Sequence, residues 1–396
     1  MRSGKNTLSL IIIIAITAIF RTASYGQISA KANRIKITVP NEKITTLPLQ
    51  PYDTVMLAFI GDVMQHGVQV KKALKKGHNP TLQSSYDYST TFKYLKNYLS
   101  KADIAIANME FPVGDYPFGQ YPNFKAPVAI AQEAKKSGID LFLLANNHLA
   151  DQGTAGLLKT LNIYDSLGIR HTGAYRSSDE QIKEAPLLFE SKGIKIAFIN
   201  FCYGLNCSLD GTATVSLMDS TLIKNEILKA KERGAEIIVA TPHWGIEYQL
   251  LPSKSQKRWA EMLFNNGVRI VVGTHPHVPQ IWEIHSNEYN TRIADKVIFY
   301  SLGNFISNQS NPDYTQLELL AEIPIVRNNL TGEIDVGRPK HTFLWCFKAG
   351  EMENNYTVVP VKFLKGKKEL VKNQEQYERM IKTYNYVNLQ FNNSIK

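Results

Sequence analysis

Short apolar runs alternate with segments of helical periodicity through most of the chain, and this alternation limits the fold more than any other feature. The apolar runs, rich in β-branched and aromatic residues as buried strands are, are Val55–Ile60, Ile104–Ala107, Ile139–Ala145, Ile194–Ile199, Ile237–Ala240, Val268–Val272 and Val297–Tyr300. The helical segments are Ala155–Leu167, Thr221–Arg233 and Ser255–Phe264. Strands and helices in alternation predict a layered α/β fold with a largely parallel central sheet.

Almost every predicted strand ends just before a side chain that can bind a metal or transfer a proton. These side chains are Asp62, Glu110, Asn147, His148, His243, His275 and His277. In open α/β sheets, ligands bind just outside the carboxyl ends of the parallel strands, so residues far apart in sequence converge there. Strand ends without a shared site would more often lead into ordinary turn residues. The sequence therefore predicts one common site at this edge of the sheet.

The chemistry indicated is divalent metal binding. Imidazole nitrogen, carboxylate and amide oxygen form a ligand set suited to Zn, Mn, Fe or Mg. The sharpest local signal is the pair His275 and His277, because side chains two apart on an extended backbone point the same way. Taken alone, Asp62 fits a turn or helix cap better, and His148 fits a helix cap equally well. The remaining histidines are interpreted as surface or core residues, and these are His66, His78, His171, His285 and His341.

The N-terminal segment predicts export. Arg2 and Lys5 precede the apolar run Leu8–Phe20, and small residues follow up to Gly26, as in a secretory signal peptide over residues 1–26. The alternative is a retained membrane anchor, but such a run rises only about 20 Å as a helix against a hydrocarbon core of about 30 Å. We expect an extended leader over residues 27–52 and a location in the periplasm, cell envelope or extracellular space.

The charge balance indicates an anionic partner. The formal net charge is +10, yet the chain has no dense Lys/Arg block and no aromatic residues interleaved with basic ones. This pattern argues against nucleic-acid binding. It leaves an anionic polymer, a phosphorylated substrate or peripheral association with a membrane surface as the expected contacts.

Six motifs, in order over residues 54–310, resemble the bacterial capsule-synthesis family of the CapA, or poly-gamma-glutamate capsule, type. The motifs are Gly61–Met64, Asn108–Pro112, Ala145–Gly153, His243–Tyr248, Gly273–His277 and Tyr300–Phe305. That family is similar to the calcineurin-like metallophosphoesterases. The resemblance therefore implies a metallophosphoesterase-type layered α/β sandwich with metal ions at the strand ends.

The resemblance also implies a role for each matching residue. The metal ligands it implies are Asp62, Glu110 as the bridging acid, Asn147, His243, His275 and His277. His148 would be the catalytic acid that protonates a leaving group. Residues implied to support the ligands or contact substrate are Asn108, Asp151, Glu247, Asn304 and Lys125. Metallophosphoesterases place a histidine where this chain has Met64, so the expected number of metal ions is one or two.

Three functions follow from these expectations. The first is a metal-dependent hydrolase or transferase of capsule-polymer biosynthesis, acting on an anionic envelope polymer or a phosphate ester. The second is a non-catalytic accessory protein of polymer export, in contact with polymer synthase or export proteins. The third is a general secreted metallophosphatase. The expected catalytic domain covers residues 53–340, followed over 341–396 by a β extension, with strands at His341–Phe347 and Tyr356–Phe363, and a charged or amphipathic tail.

Overall fold

Within the part of the chain that the structure describes, the strands are divided between two large sheets and two small ones. The computed structural model describes residues 52–285 and 293–394. The predicted signal peptide and all of the predicted leader except Tyr52 lie outside these residues. Within them, no helix is both long enough and apolar enough to cross a membrane.

The elements follow one another in an alternating order. The strands up to residue 202 are β1 (Tyr52–Val63), β2 (Ile104–Met109), β3 (Val113–Gly114), β4 (Gly119–Gln120), β5 (Asn123–Pro127), β6 (Leu141–Leu143), β7 (Arg170–Thr172), β8 (Ala174–Tyr175), β9 (Leu187–Ser191) and β10 (Ile194–Cys202). The later strands are β11 (Thr214–Val215), β12 (Ile237–His243), β13 (Ile270–Val272), β14 (Trp282–His285), β15 (Ile293–Ala294), β16 (Lys296–Phe299), β17 (Leu317–Asn328), β18 (Ile334–Gly337), β19 (Lys340–Phe347) and β20 (Thr357–Pro360). The helices are α1 (Gly67–Ala73), α2 (Lys96–Leu99), α3 (Val128–Lys136), α4 (Gly153–Ser166), α5 (Ser178–Glu184), α6 (Ser220–Glu232), α7 (Lys254–Asn265), α8 (Val361–Leu364) and α9 (Gln374–Ser394).

Each large sheet contains four neighbouring parallel strands. The first sheet runs β15-β18-β17-β1-β2-β6-β7, with β1, β2, β6 and β7 parallel and with β19 and β20 added beside β17. The second runs β14-β16-β13-β12-β10-β9, with β16, β13, β12 and β10 parallel and antiparallel strands at both edges. The predicted layered α/β class is confirmed, and the structure adds that the strands belong to two sheets.

Strand β1 shows how the layers pack. Its side chains alternate between two faces, as strand geometry requires. Val55, Leu57 and Phe59 join a core shared with the second sheet, with α6 and with α7. Ala58 and Ile60 face a separate core that is covered by α3 and α4. The sheets therefore form a sandwich, and every central strand is buried on both faces.

The two helices packed against the second sheet begin at strong capping residues. Asp219 accepts hydrogen bonds from the backbone N–H groups of Thr221 and Leu222 at the start of α6. Ser253 and Gln256 form a reciprocal capping box at the start of α7. Such caps contribute about 1 kcal/mol each. They fix the helix starts close to the predicted positions.

The C-terminal region is more fully integrated than its polar sequence indicates. Strand β19 pairs with β17 along six residues of register, and Trp345 and Phe347 are buried in the shared core. The second predicted strand, Tyr356–Phe363, is wrong at its end, because the chain turns into helix α8 after Pro360. The predicted tail contains the 21-residue helix α9. The domain boundary at residue 340 stays a prediction.

Candidate metal centre

Strand ends from both sheets meet at one edge of the sandwich. Asp62 lies near the end of β1, where the register with β2 shifts by one residue. Glu110 follows β2 directly, and His243 is the last residue of β12. His275 and His277 lie in the loop that follows β13. All five side chains are buried, as the parallel-strand argument predicts.

Asp62 is held from three directions. Its Oδ1 accepts a hydrogen bond of 2.8 Å from Asn108 Nδ2. Its Oδ2 accepts one of 3.2 Å from the backbone N–H of His275 and lies 3.2 Å from His277 Nδ1. The carboxylate is therefore fixed in orientation before any ligand arrives. Asn108, predicted as a supporting residue, is the main contact that aims it.

His243 points one ring nitrogen at the predicted ligands. Its Nε2 lies 2.8 Å from Asn147 Oδ1 and 3.6 Å from Glu110 Oε1. Its Nδ1 lies 2.9 Å from Thr274 Oγ1. A hydrogen bond on the far nitrogen is how proteins usually orient a metal-binding imidazole. Thr274 was not among the predicted site residues, although it lies in the motif Gly273–His277.

The residues fit one or more divalent cations. Three groups bring their ligand atoms within 4.8 Å of one another, and these are Glu110–His243–His275, Asp62–Glu110–His277 and Glu247–His275–His277. Glu110 Oε1 and His275 Nδ1 are buried without a hydrogen-bond partner in the described structure. Unpartnered buried polar atoms are costly, and a bound cation would satisfy both. Glu110, His275 and His277 each belong to two of these groups, so the three candidate sites share ligand residues.

Two neighbouring histidines have opposite electrostatic settings. Burial and the adjacent imidazoles of His243 and His277 hold the pKa of His275 well below its usual value. Burial also acts to lower the pKa of His277, but Glu110 and Asp62 outweigh it and raise that pKa to about 9. Burial would raise the pKa of Asp62, yet His277 and His243 lower it overall. At neutral pH the imidazole of His275 is therefore uncharged, whereas the imidazole of His277 is positively charged.

The backbone of the His275–His277 loop differs from the one predicted. Both histidines have positive φ, 97° for His275 and 59° for His277, so the segment is not extended and that reason for their convergence is wrong. Positive φ costs free energy in non-glycine residues. The loop is held by hydrogen bonds from Tyr248 N to Pro276 O and from Thr274 N to Pro242 O. Even so, the two rings lie 5.8 Å apart.

His148 lies beside this group and is oriented by an acid. Its Nδ1 is 2.8 Å from Asp151 Oδ2, and that oxygen also accepts a 2.8 Å hydrogen bond from the backbone N–H of Phe124. The Phe124 ring packs 4.6 Å from the imidazole, and Asn206 Nδ2 lies 3.3 Å from Nδ1. An imidazole fixed through one nitrogen by a carboxylate is suited to proton transfer through the other.

The structure does not bring every predicted residue to the centre. Glu247 joins one candidate ligand group and is exposed. Asn304 follows Gly303, whose carbonyl oxygen accepts a hydrogen bond from Asp62 N. The Asn304 side chain itself donates from Nδ2 to Gln309 Oε1 and to the carbonyl oxygen of Thr315. Lys125 follows Phe124 on β5 with its Cδ against Gly114. Because side chains alternate along a strand, Lys125 leaves on the face opposite to Phe124 and His148.

Other residues near the centre had no predicted role in the site. His66, interpreted as a surface or core residue, caps α1 and lies edge-on to Phe124 at 5.1 Å, and burial lowers its pKa to about 4. Tyr203 packs 4.5 Å from the His275 ring. Tyr203 directly follows β10, so the argument that site residues follow the ends of parallel strands applies to it as well. Met64, which stands where a ligand histidine was expected, is buried in the hydrophobic core.

Comparisons with known proteins agree with the motifs. The chain matches the family described as bacterial capsule synthesis protein PGA_cap over residues 56–309. It is 26% identical to capsule biosynthesis protein CapA of Bacillus anthracis over 342 residues, 82% of this chain and 72% of that protein. It is 28% identical to PGA biosynthesis protein CapA of Bacillus subtilis (strain 168) over 265 residues, 65% of this chain and 64% of that protein.

Solved structures of phosphoesterases and nucleotidases are similar at lower identity. Calcineurin-like phosphoesterase YfkN from Bacillus subtilis has a TM-score of 0.42 and 14% identity, with 86% of this chain and 98% of that chain covered. The Haemophilus influenzae NAD nucleotidase NadN has a TM-score of 0.46 and 13% identity, with 85% of this chain and 60% of that chain covered.

Proposed function

The chain belongs to the bacterial capsule synthesis protein family, and on this premise we propose that it is a metal-dependent hydrolase or transferase of capsule-polymer biosynthesis. Its substrate would be an anionic envelope polymer of the poly-gamma-glutamate type or a phosphate ester. The observation that carries this proposal is the gathering of buried carboxylate and imidazole atoms within 4.8 Å of one another, next to a histidine oriented by an acid.

Six residues would hold the metal, and these are Asp62, Glu110, Asn147, His243, His275 and His277. A divalent cation bound there supplies Lewis acidity and lowers the pKa of a coordinated water. The Zn, Mn, Fe and Mg ions all suit this oxygen and nitrogen set. Because Met64 is packed in the hydrophobic core, the proposed number of bound ions is one or two.

His148 would supply the proton for the leaving group. Asp151 holds its Nδ1, so Nε2 is the atom that donates. The Phe124 ring covers one side of the imidazole, which limits its exchange with solvent. Asp151 also binds the backbone of β5, so the acid and the histidine it orients move with a strand rather than with a free loop.

A second candidate is an accessory protein of polymer export that binds the polymer without turnover. It is favoured by the packing of Met64 into the core, because one position that would carry a ligand is then lost. In either case we propose an exported protein of the cell envelope. Its partners would be the anionic polymer and proteins that make or export it.

Activity assays on matched variants separate these candidates. Metal-loaded protein would be assayed on poly-gamma-glutamate and on an aryl phosphate. We expect His148→Ala to reduce turnover about 100- to 10,000-fold, the usual contribution of a general acid, with metal content unchanged. Asp151→Asn should give a smaller loss and a displaced pH profile, and His285→Ala, an exposed residue on β14, should behave as wild type.

Three results would redirect the proposal. Absence of turnover on both substrates in metal-loaded wild type, with polymer binding intact, would support the accessory role. Turnover on the aryl phosphate alone would indicate a general metallophosphatase. Full activity in His148→Ala would remove that histidine from the mechanism.

A further inference from the structure

A cavity lies next to the metal centre, and one residue belongs to the wall of both. Its volume is about 400 Å³, and its lining includes Tyr203, Met218, Ile246, Ser253, Lys254 and Ser255. The shared wall is Tyr203, whose ring lies 4.5 Å from the ring of His275. Because this side chain is 49% exposed, a molecule bound at the metal centre can extend across it into the cavity.

One end of the cavity is cationic. Lys254 and Ser255 are the first two residues of α7. The Lys254 ammonium has no carboxylate within 4.0 Å among residues 52–285 and 293–394. The first turn of a helix adds the positive end of its dipole and backbone N–H groups without an intrahelical acceptor. The Ser253 hydroxyl is already engaged, because it accepts from Gln256 N.

The rest of the lining is largely apolar. Ile246, which is 57% exposed, lies three residues after His243, and Met218 is half-buried beside the core. Together with Tyr203 they form the apolar part of the cavity wall, which Lys254 also lines. Apolar walls with a few placed polar groups are typical of ligand sites. Here the polar group is a cation at one end.

We propose that this cavity is a subsite for the substrate segment next to the reacting group, and that it binds a short aliphatic stem ending in an anion. The stem lies against Tyr203 and Ile246, and the anion pairs with Lys254. In a γ-linked glutamyl residue the two main-chain methylene groups form the stem and the α-carboxylate next to them is the anion, and an alkyl phosphate offers the same combination. The inference rests on the proposed function, because it takes the metal centre as the place where the reacting group sits.

The test compares two lysines of the same helix. Binding of a fluorescently labelled tetramer of γ-linked glutamate would be measured by anisotropy on the metal-loaded full chain, beside a γ-linked isoglutamine tetramer, in which each α-carboxylate is replaced by an amide. We expect the acidic tetramer to bind at least tenfold more tightly. Lys254→Gln should lower the ratio of the affinities for the acidic and the amide tetramer about tenfold, which is the value of one charge-assisted contact. Lys257→Gln, exposed one turn along α7 and outside the cavity, should retain it.

A cavity-filling variant tests the apolar wall. Ile246→Trp should weaken both tetramers to a similar degree, because it occupies the space of the stem and leaves Lys254 in place. Displacement of the labelled acidic tetramer by butyl phosphate and by glutarate distinguishes the two anion sources. The compound that displaces the tetramer more strongly identifies the preferred anion. Loss of that difference in Lys254→Gln supports the subsite.

Failure of the subsite and failure of the proposed function give different results. Equal binding by Lys254→Gln and Lys257→Gln, or no preference for the acidic tetramer, would overturn the subsite even if the enzyme turns over substrate. Lack of turnover, with the Lys254-dependent preference intact, would overturn the hydrolase proposal and leave the subsite standing as a polymer-binding site.

Discussion

The chemistry of single residues at the metal centre depends on which neighbours each imidazole faces. His277 faces the carboxylates of Asp62 and Glu110, so its positive charge is stabilised despite burial. His275 lies against Tyr203 and His243, so burial dominates and its charged form is disfavoured. The same residue type, two positions apart, is thus a neutral imidazole in one case and a protonated one in the other.

Metal binding should release a proton from His277. With a pKa of about 9 in the metal-free site, this imidazole is protonated at pH 7.5, and it must be neutral to ligate. We expect about one proton released per metal at pH 7.5, and an apparent affinity that rises with pH up to about 9 and levels off above it. Titration calorimetry in two buffers of different ionisation enthalpy measures the release. A buffer-independent heat would contradict this assignment.

The convergence of the candidate ligand residues was predictable, because parallel strands bring their carboxyl ends together wherever the loops run. The same reasoning could not place Lys125, since the face from which a side chain leaves depends on the register of β5. The contact between His66 and the Phe124 ring of β5 could not be predicted either, because no sequence pattern links the two residues. The positive φ of His275 and His277 was out of reach, because only glycine marks such a backbone reliably in sequence.

At the scale of elements, the end of β1 is the most constrained part of the centre. Its register against β2 shifts between Ile60 and Asp62. The intervening Gly61 N donates to Glu318 Oε1 at 2.8 Å, and Asp62 N donates to Gly303 O at 3.0 Å. Burial raises the pKa of the Glu318 carboxyl well above its usual value. Along the rest of β1, residues 52 to 59 are held by backbone pairing with β17. At the end of the strand these contacts take the place of that pairing and orient Asp62 toward the site.

Gly61→Ala should therefore damage both stability and metal binding. A Cβ at this position would lie 2.0 Å from Gly303 O, and backbone cannot move aside cheaply. We expect a loss of about 1–3 kcal/mol or more in the free energy of unfolding, measured by urea denaturation, and weaker metal binding. Gly204→Ala is the control, because its Cβ meets nothing within 4 Å. Equal stability of the two variants would contradict the account of β1.

Elements with uniform apolar runs were predictable, and those with mixed sequence were not. Seven of the eight parallel strands were located from such runs, and the exception is the short edge strand β7. The 12-residue strand β17 was missed because Glu318, Glu322 and Pro324 interrupt its apolar pattern. Glu318 is buried as the partner of Gly61, and Pro324 lies opposite Met56 in the pairing with β1. Tertiary contacts thus override the local signal at both residues.

At the scale of the whole molecule, one core links the two sheets and the C-terminal strands. Strand β17 pairs with β1 along one part and with β19 along another. Trp345 from β19 and Val359 from β20 are fully buried in the core that also contains the second sheet. The metal centre draws ligands from both sheets, so its geometry depends on how that core packs.

Truncation tests whether residues 53–340 form a separable domain. Removing residues 341–396 deletes β19 and β20 and opens the core that they cover, so we expect loss of cooperative thermal unfolding. Removing only residues 374–396 deletes α9, with its buried Met380 and Val387, and should lower the midpoint while leaving a cooperative transition. Circular dichroism measures both. A cooperative, metal-binding 53–340 fragment would instead support an independent domain.

The central claim is that side chains from strand ends of both sheets jointly hold a divalent cation, and metal stoichiometry tests it most directly. Wild type, His275→Ala and His285→Ala would be loaded with Mn or Zn, desalted and measured by plasma mass spectrometry. We predict one or two equivalents in wild type and in His285→Ala, and less than about a tenth of that in His275→Ala. Equal metal content in all three proteins would contradict the claim.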